Sequence, residues 1–325
     1  MASGSFTGRV VWITGASSGI GRSLALAFAA AGARLILSAR RVEALVEVQH
    51  ACGPAEVRLI PFDLSDLDVV PARAAEALAC FGGVDIMVHN AGLAARDRVA
   101  NTTRDVHERL LRTNYLGPAL LTRALLPSML ERGGGHFVVI GSLSGKYGGP
   151  LLGAYAASKH ALHGFFESLR AEEHERGIVV TFIVPGFIKT DITAHALTGS
   201  GGSFGRVLPI YRDAMGPDEC ARRILRAVAR RRQEVLVGGV EVWTVYLKRW
   251  FPRALALVVR SHPVRLRNRL LGWIPILGRR WRPTAPSGGA AAFPDPDAEG
   301  TISGRAERMR KVVREPTHEE KEQGE

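Results

Sequence analysis

The stretch RVVWITGASSGIGRSLALAFAAAG (residues 9–32) decides the fold. It opens with a short, mainly apolar run that predicts a buried β-strand. The glycine-rich loop TGASSGIG (14–21) follows directly, and apolar residues at helical spacing come after the loop. A strand, a glycine-rich loop and a helix in this order predict a nucleotide-binding unit.

The loop 14–21 has the residue types that a bound pyrophosphate requires. We expect Gly15 to turn the chain, Gly19 to let the backbone approach the phosphates, and Gly21 to allow close packing of helix on strand. The N-terminus of the following helix offers N–H groups and a positive dipole end to the phosphates. The alternative is a glycine turn that binds nothing. The predicted phosphate-contacting residues are Gly15, Ser17, Ser18, Gly19, Ile20 and Gly21.

Further apolar runs extend this pattern along the chain. They alternate with stretches of helical spacing, which predicts an α/β fold with a doubly wound parallel sheet covered on both faces. The run 234–238, after a predicted helix at 217–232, is expected to add one edge strand. The other predicted strands are 34–38, 57–61, 85–89, 136–140 and 179–184.

The composition predicts a cytoplasmic globular protein with a basic C-terminal region. Of the 325 residues, 46% are hydrophobic, which suffices for a buried core. The formal net charge is +12, and the excess lies between Arg222 and Arg282. The cysteines Cys52, Cys80 and Cys220 have neither disulfide-framework nor metal-ligand spacing, so we expect reduced thiols. The N-terminal sequence has no apolar segment of signal-peptide length, so we do not expect secretion.

The order and spacing of several further motifs resemble one family. After TGASSGIG come Asp63, HNAG (89–92), Asn114, Ser142, YAASK (155–159) and PGFIKT (185–190). This set resembles the short-chain dehydrogenases/reductases over residues 7–238. The resemblance implies a Rossmann-like, three-layer α/β/α domain, which we assign to residues 1–239. It also implies hydride transfer between a nicotinamide cofactor and a carbonyl or alcohol.

The end of the second predicted strand indicates the cofactor. Ala39 stands where NAD-binding sites place an acid for the ribose, and Arg40 follows it. A guanidinium fork suits a 2′-phosphate, so we predict NADP(H), with Ser38 as a second contact. The alternative is that Arg40 and Arg41 only face solvent. The resemblance adds further cofactor contacts: Asp63, Leu64, Asn90, Ala91, Gly92, Tyr155, Lys159, Pro185, Gly186, Ile188 and Thr190.

Tyr155 and Lys159 form the centre of the predicted catalytic group. Their i, i+4 spacing places them on one face of a helix. Bringing a tyrosine pKa from about 10 to about 7 takes roughly 4 kcal/mol, which one nearby ammonium can supply in a desolvated site. Tyr155 then acts as general acid for reduction or base for oxidation. By resemblance, Ser142 binds the substrate oxygen, and Asn114 positions a water in a proton relay. We expect no metal ion.

The predicted substrate lid, 191–216, is rich in glycine and serine, with apolar side chains that favour a lipophilic carbonyl or alcohol. The sequence PGFIKTDITAHALTGSGG (185–202), the basic end of the predicted helix 217–232 and the hydrophobic extension beyond it resemble a narrower branch of the family. That branch contains membrane-associated reductases related to acyl/alkyl-dihydroxyacetone-phosphate reductase and to retinoid or steroid reductases, which implies a lipid-derived ketone. Two alternatives stay open: a non-catalytic NADP(H)-binding sensor or scaffold on the same fold, and an alcohol dehydrogenase running in the opposite direction. The predicted substrate contacts are Ser142, Leu143, Tyr147, Tyr155 and Phe187.

The segment 240–282 is aromatic, aliphatic and basic. From Lys248 to Arg282 there are ten Lys or Arg and no Asp or Glu, and no apolar run is long enough to span a membrane. Three readings compete: an anchor on an anionic membrane surface, packing on the lid or a partner subunit, and, least favoured, nucleic-acid contact. We expect peripheral membrane association and no nucleic acid. The resemblance implies a homodimer or homotetramer. Residues 283–325 are expected to be a linker and a disordered charged tail.

Overall fold

The structure is a computed structural model that describes residues 6–211 and 213–260. Within these residues, seven parallel strands form one sheet in the order β3-β2-β1-β4-β5-β6-β7. Every predicted apolar run forms a strand, and the expected edge strand pairs with β6. The strands are β1 (Val10–Thr14), β2 (Arg34–Ser38), β3 (Val57–Leu59), β4 (Ile86–His89), β5 (Gly135–Ile140), β6 (Ile178–Pro185) and β7 (Glu234–Val237).

Helices connect the strands and cover both faces of the sheet, which confirms the doubly wound three-layer α/β/α fold. The strand order changes direction between β1 and β4, so their carboxyl ends flank the switch point where such sheets bind ligands. The helices are α1 (Gly19–Ala30), α2 (Val42–Ala51), α3 (Val70–Phe81), α4 (Arg104–Leu111), α5 (Gly117–Glu131), α6 (Gly153–Glu173), α7 (Pro217–Ala229), α8 (Thr244–Trp250) and α9 (Pro252–Arg260).

The central strand β1 is buried on both faces. Val11 and Ile13 pack in one cluster with side chains of α1, α2 and α7. Val10 and Trp12 pack in a second cluster with side chains of α3, α5 and α6. Because successive strand residues point to opposite faces, covering both faces requires an apolar residue at every position. This explains why the strand is an uninterrupted apolar run in the sequence.

The predicted lid, 191–216, is irregular, with a 3₁₀ turn at Pro209–Tyr211. It is attached to the loop that precedes α4. Leu197 forms a β-bridge with Ala95, and the Gly199 N–H donates to the Asp97 carboxylate at 2.9 Å. Leu197 also joins a small buried cluster that contains Tyr155. The lid therefore lies beside the predicted catalytic tyrosine.

In the C-terminal region, the structure corrects the predicted end of α7 and shows helices at the start of the basic extension. Helix α7 ends at Ala229 rather than at 232, because Arg231 takes a positive φ of 49°. The extension begins with a 3₁₀ turn, Val240–Trp243, and continues as α8 and α9. Across residues 6–211 and 213–260, every helix is too short or too polar to cross a bilayer. The predicted basic segment after residue 260, the linker and the charged tail lie outside the described residues.

Candidate active site

The loop between β1 and α1 has a backbone suited to a dinucleotide. Gly15 adopts a φ of +65°, a turn that side chains disfavour. A Cβ on Gly21 would overlap the Gly15 carbonyl oxygen, so helix and loop pack in direct contact. The N-terminus of α1 has no side-chain cap and no acid in its first turn, so its N–H groups are available to phosphates. These residues fit the pyrophosphate of a nicotinamide cofactor.

The loop after β4 holds the phosphate loop in place. The Asn90 side-chain amide donates to the carbonyl oxygens of Thr14 and Gly15, at 3.0 and 3.1 Å. The Thr14 hydroxyl in turn accepts from the N–H groups of Asn90 and Ala91, both at 3.2 Å. These four hydrogen bonds join the carboxyl ends of β1 and β4, the two strands at the switch point.

At the end of β2 the two predicted cofactor contacts differ in their surroundings. The Ser38 side chain is buried, and its hydroxyl accepts from the Trp12 indole at 2.8 Å. The hydroxyl keeps its own proton to donate, and its contact with a 2′-phosphate stays a prediction. The Arg40 side chain is 73% exposed and lies 3.8 Å from the Asp63 carboxylate. An exposed pair of this kind holds its partners weakly, so Arg40 is free to bind an anion.

The predicted catalytic side chains converge at the carboxyl end of β5. Tyr155 and Lys159, on α6, are both buried, and Lys159 Nζ lies 6.0 Å from the centre of the Tyr155 ring. Ser142 follows β5; its hydroxyl accepts from the Ser144 N–H and lies close enough to the Tyr155 hydroxyl to lower the pKa of that phenol. The Lys159 ammonium donates to the Ile140 carbonyl oxygen at 3.0 Å. Buried Tyr155 and Lys159 and half-buried Ser142 thus form one polar group.

The ionisation of this group differs from the sequence expectation. Burial raises the pKa of Tyr155 to about 12, and the hydrogen bond with Ser142 only partly opposes this. Burial also lowers the pKa of Lys159 to about 8. The predicted lowering of the tyrosine pKa by Lys159 is wrong for this structure. The desolvation cost of a phenolate outweighs its attraction to an ammonium that is already bonded to a carbonyl oxygen.

Asn114 lies in a π-helical turn, Arg112–Leu116, between α4 and α5. Its side chain accepts from the Leu93 N–H at 2.7 Å and donates to the Leu93 carbonyl at 2.8 Å and the Ser158 hydroxyl at 2.9 Å. A Cβ on Gly92 would lie 3.5 Å from both Asn114 Oδ1 and Lys159 Nζ. The amide oxygen and the ammonium therefore face the same point, as a relay between them requires.

The substrate side is partly apolar. The rings of Phe187 and Tyr211 meet edge-on, with centroids 5.4 Å apart, so the lid touches the loop after β6. Tyr211 also lies close enough to Tyr155 to help raise its pKa. Leu143 is buried in a cluster with side chains of α6, and its contact with substrate stays a prediction. The hydroxyl of Tyr147, the other predicted contact, accepts from Thr244 at 2.9 Å.

The loop after β6 contains the remaining predicted cofactor residues. Pro185 and Ile188 are buried, and Thr190 approaches the phosphate loop, with Cγ2 at 3.1 Å from a Cβ built on Gly19. The two loops therefore face each other across the carboxyl edge of the sheet. Of the other predicted contacts, Leu64 is buried, Ile20 packs partly buried on α1, and Ser17 and Ser18 lie at its start.

A family model described as short chain dehydrogenase matches residues 9–200, more than half of the chain. The chain belongs to the short-chain dehydrogenase/reductase family. A relative from Drosophila melanogaster, dehydrogenase/reductase SDR family protein 7-like, is 40% identical over 268 residues, covering 80% of this chain and 82% of the relative.

Solved structures of other family members share the fold. A short-chain dehydrogenase/reductase from Burkholderia phymatum in complex with NAD is 27% identical, with a TM-score of 0.68 over 75% of this chain and 94% of that one. A metagenomic short-chain oxidoreductase in complex with NADP is 30% identical, with a TM-score of 0.60 over 72% and 98%. This short-chain dehydrogenase/reductase is thus an oxidoreductase with a nicotinamide cofactor site.

Four residues of this short-chain dehydrogenase/reductase escaped sequence reasoning. Arg96 is half-buried near Tyr211, and burial lowers the pKa of its guanidinium. Ser158, inside the quoted YAASK motif, binds Asn114. Glu241 accepts from the Phe187 N–H at 2.9 Å, and Thr244 binds Tyr147. Ser158 could have been identified from the motif that contains it. The contacts of Glu241 and Thr244 could not, because they depend on how the extension packs on the rest of the chain.

Two histidines, on β4 and β5, form hydrogen bonds within the protein core. His89 and His136 are buried, donate to or accept from threonine hydroxyls, and have pKa values lowered by burial, to about 3 and about 4. Within the described residues, the ligand atoms of His163, Glu167 and Glu234 lie within 4.8 Å of one another. Glu234 is already paired with Lys146 at 2.6 Å. The absence of a metal ion stays a prediction.

Proposed function

We propose that this enzyme is an NADP(H)-dependent reductase of a lipophilic ketone or aldehyde. One observation carries the proposal: buried Tyr155 lies beside Ser142 and Lys159 at the carboxyl end of β5, and burial raises the pKa of its phenol rather than lowering it. The phenol is therefore protonated at neutral pH. A positioned neutral phenol is the general acid that carbonyl reduction requires.

The residues of the site divide the reaction between them. The cofactor, when bound, supplies a hydride to the carbonyl carbon. The Ser142 and Tyr155 hydroxyls hold the carbonyl oxygen, and Tyr155 Oη gives it a proton, so that the carbonyl becomes an alcohol. The Lys159 ammonium stabilises the phenolate left behind. Because its own pKa is lowered to about 8, Lys159 can then return a proton at near-neutral pH.

The preference for NADP(H) is supported by the end of β2. Ala39 offers no carboxylate to a ribose hydroxyl, and Arg40 is exposed beside it, paired only with Asp63 at 3.8 Å among the described residues. A phosphate, with more charge than a carboxylate and geometry suited to two N–H donors, would displace that pairing.

The preference for a lipophilic substrate is supported by the lid. Leu197 packs against Tyr155, and the rings of Phe187 and Tyr211 lie in contact. The test is NADPH oxidation with long-chain ketones, retinal, steroid ketones and acyl-dihydroxyacetone phosphate. Turnover of an apolar ketone well above that of a sugar is expected. Tight NADPH binding without turnover of any carbonyl would instead indicate the sensor or scaffold.

We also propose that the extension contacts an anionic phospholipid surface. Three aromatic side chains are strongly exposed: Trp243 (67%), Trp250 (72%) and Phe251 (65%). Exposed Lys248, Arg249 and Arg253 lie among them in the sequence. Apolar rings with cations and no acids suit an anionic bilayer surface, where each cation contributes about 1 kcal/mol.

Vesicle sedimentation tests the membrane proposal. Wild-type protein is expected to sediment with phosphatidylserine vesicles and much less with phosphatidylcholine vesicles. Trp250→Ser should weaken sedimentation, whereas Val99→Ser, which removes an equally exposed apolar side chain elsewhere, should not. Equal sedimentation of wild type and Trp250→Ser would exclude this surface.

A further inference from the structure

The start of the extension folds back onto the active site. We call residues 240–250 the brace: they comprise the 3₁₀ turn Val240–Trp243 and helix α8. Three brace residues, Glu241, Thr244 and Lys248, are spaced three and four apart, so they share one helical face. Each of them forms a hydrogen bond to a loop that flanks Tyr155.

Glu241 is built into the loop after β6. Its Oε1 atom accepts from the Phe187 N–H and from the Gly239 N–H, both at 2.9 Å. A Cβ on Gly186 would overlap this oxygen, and one on Gly238 would lie 2.6 Å from it. Glycine at these positions therefore allows the carboxylate to reach the backbone. A carboxylate that binds two backbone N–H groups forms hydrogen bonds stronger than those between neutral groups.

The other two contacts reach the loop after β5. The Thr244 hydroxyl lies 2.9 Å from the Tyr147 hydroxyl and 2.5 Å from the Glu241 carbonyl oxygen. The Lys248 ammonium donates to the Lys146 carbonyl oxygen. Lys146 in turn pairs with Glu234 on β7 at 2.6 Å. One short segment thus links the loops after β5 and β6, which enclose Tyr155 between them.

We propose that Glu241 is a positioning residue, which holds the Pro185–Phe187 loop in the conformation that receives the nicotinamide. The proposal rests on the proposed function in assigning that loop to the cofactor. Glu241 touches neither Tyr155 nor Ser142 in the structure, so it acts through the backbone of Gly186 and Phe187. Part of the cofactor site is therefore supplied by a segment beyond the last strand of the sheet.

The expected effect follows from the two hydrogen bonds. Without an acceptor at position 241, the Phe187 amide loses its partner and the loop gains conformations that do not match the cofactor. Cofactor affinity then falls in proportion to the fraction of molecules in which the loop keeps the cofactor-binding conformation. We expect the dissociation constant for NADPH to rise about tenfold, because hydrogen bonds to charged groups exceed neutral ones in strength.

Two variants of similar size distinguish the loss of the hydrogen-bond acceptor from a change in side-chain volume. Glu241→Gln keeps a carbonyl oxygen that can accept from both N–H groups, whereas Glu241→Met keeps the length and removes the acceptor. Glu172→Ala, which removes an exposed carboxylate on α6, is the control. We would measure amide hydrogen exchange at Phe187 in cofactor-free protein and NADPH affinity by titration calorimetry.

We expect faster Phe187 exchange and about tenfold weaker NADPH binding in Glu241→Met, with Glu241→Gln within about threefold of wild type. Unchanged exchange and affinity in Glu241→Met would overturn the proposal. If that variant does not fold, hydrogen exchange in the wild-type protein tests the proposal. A Phe187 amide that exchanges as fast as the amides of a solvated loop would overturn the proposal. Neither readout needs a substrate, so a failed reductase assignment leaves this result interpretable.

Discussion

Replacing the buried lysine should stabilise the protein while abolishing its activity. Burial lowers the pKa of Lys159 from its ordinary 10.5 to about 8. This difference corresponds to about 3 kcal/mol, since a change of one in pKa is worth about 1.4 kcal/mol. Below pH 8 the lysine is charged in both folded and unfolded chains, so the full cost of burying the ammonium is present.

The Lys159→Met variant removes the charge at similar volume. It also removes the hydrogen bond to the Ile140 carbonyl oxygen, whose loss costs about 1–2 kcal/mol. The net result at pH 7 is a free energy of unfolding higher by about 1–2 kcal/mol. Turnover should be lost, because the phenolate of Tyr155 loses its cation. A catalytic residue that lowers stability is the expected trade-off.

The pH dependence distinguishes this explanation from a simple packing effect. Between pH 8 and 10.5 the folded protein releases the Lys159 proton while the unfolded chain keeps it, so wild-type stability rises with pH. The advantage of Lys159→Met should therefore shrink by about 2.5 kcal/mol between pH 7 and pH 10, so that it disappears or reverses in sign.

Urea unfolding, followed by tryptophan fluorescence to which the buried Trp12 contributes, gives both numbers. Lys189→Met, at an exposed lysine, is the matched control and should change little. A Lys159→Met variant that is less stable than wild type at pH 7, or a stability difference that does not vary with pH, would refute the reasoning.

Two further predictions concern the cofactor site. Gly21→Ala should weaken NADPH binding at least tenfold and lower the free energy of unfolding by about 1–3 kcal/mol, because the new Cβ overlaps the Gly15 carbonyl oxygen; calorimetry and urea unfolding measure the two effects. Arg40→Asp should raise the Michaelis constant for NADPH at least tenfold and leave that for NADH equal or lower, since it replaces a phosphate-binding cation with a ribose-binding acid; an unchanged NADPH value would remove Arg40 from the cofactor assignment.

Most elements of the fold could be predicted from local sequence patterns, because tertiary contacts in this protein do not change the structure that those patterns favour. Strand β1 is apolar from Val10 to Ile13 because both faces of the sheet are covered, and the loop after it requires glycine where helix and strand meet. The edge strand β7 was predictable because it repeats the same apolar run after an amphipathic helix. The end of α7 was missed because the positive φ of Arg231 has no signature in its side chain.

The site was only partly accessible from the sequence. The positions of Tyr155 and Lys159 followed from their spacing, but their ionisation depends on burial, which no spacing reveals. The Trp12 indole that donates to the Ser38 hydroxyl lies 26 residues earlier in the chain, so the sequence did not reveal this contact. Glu241 lies 54 residues after Phe187 in the sequence, so its contact with that loop could be found only in three dimensions.

The central claim, that Tyr155 is the proton donor of a carbonyl reductase, is tested most directly by Tyr155→Phe, which removes only the hydroxyl. Single-turnover oxidation of bound NADPH by an apolar ketone should slow by about 10²–10⁴-fold, while the dissociation constant for NADPH stays within about threefold of wild type. Retention of the wild-type rate in Tyr155→Phe would contradict the account.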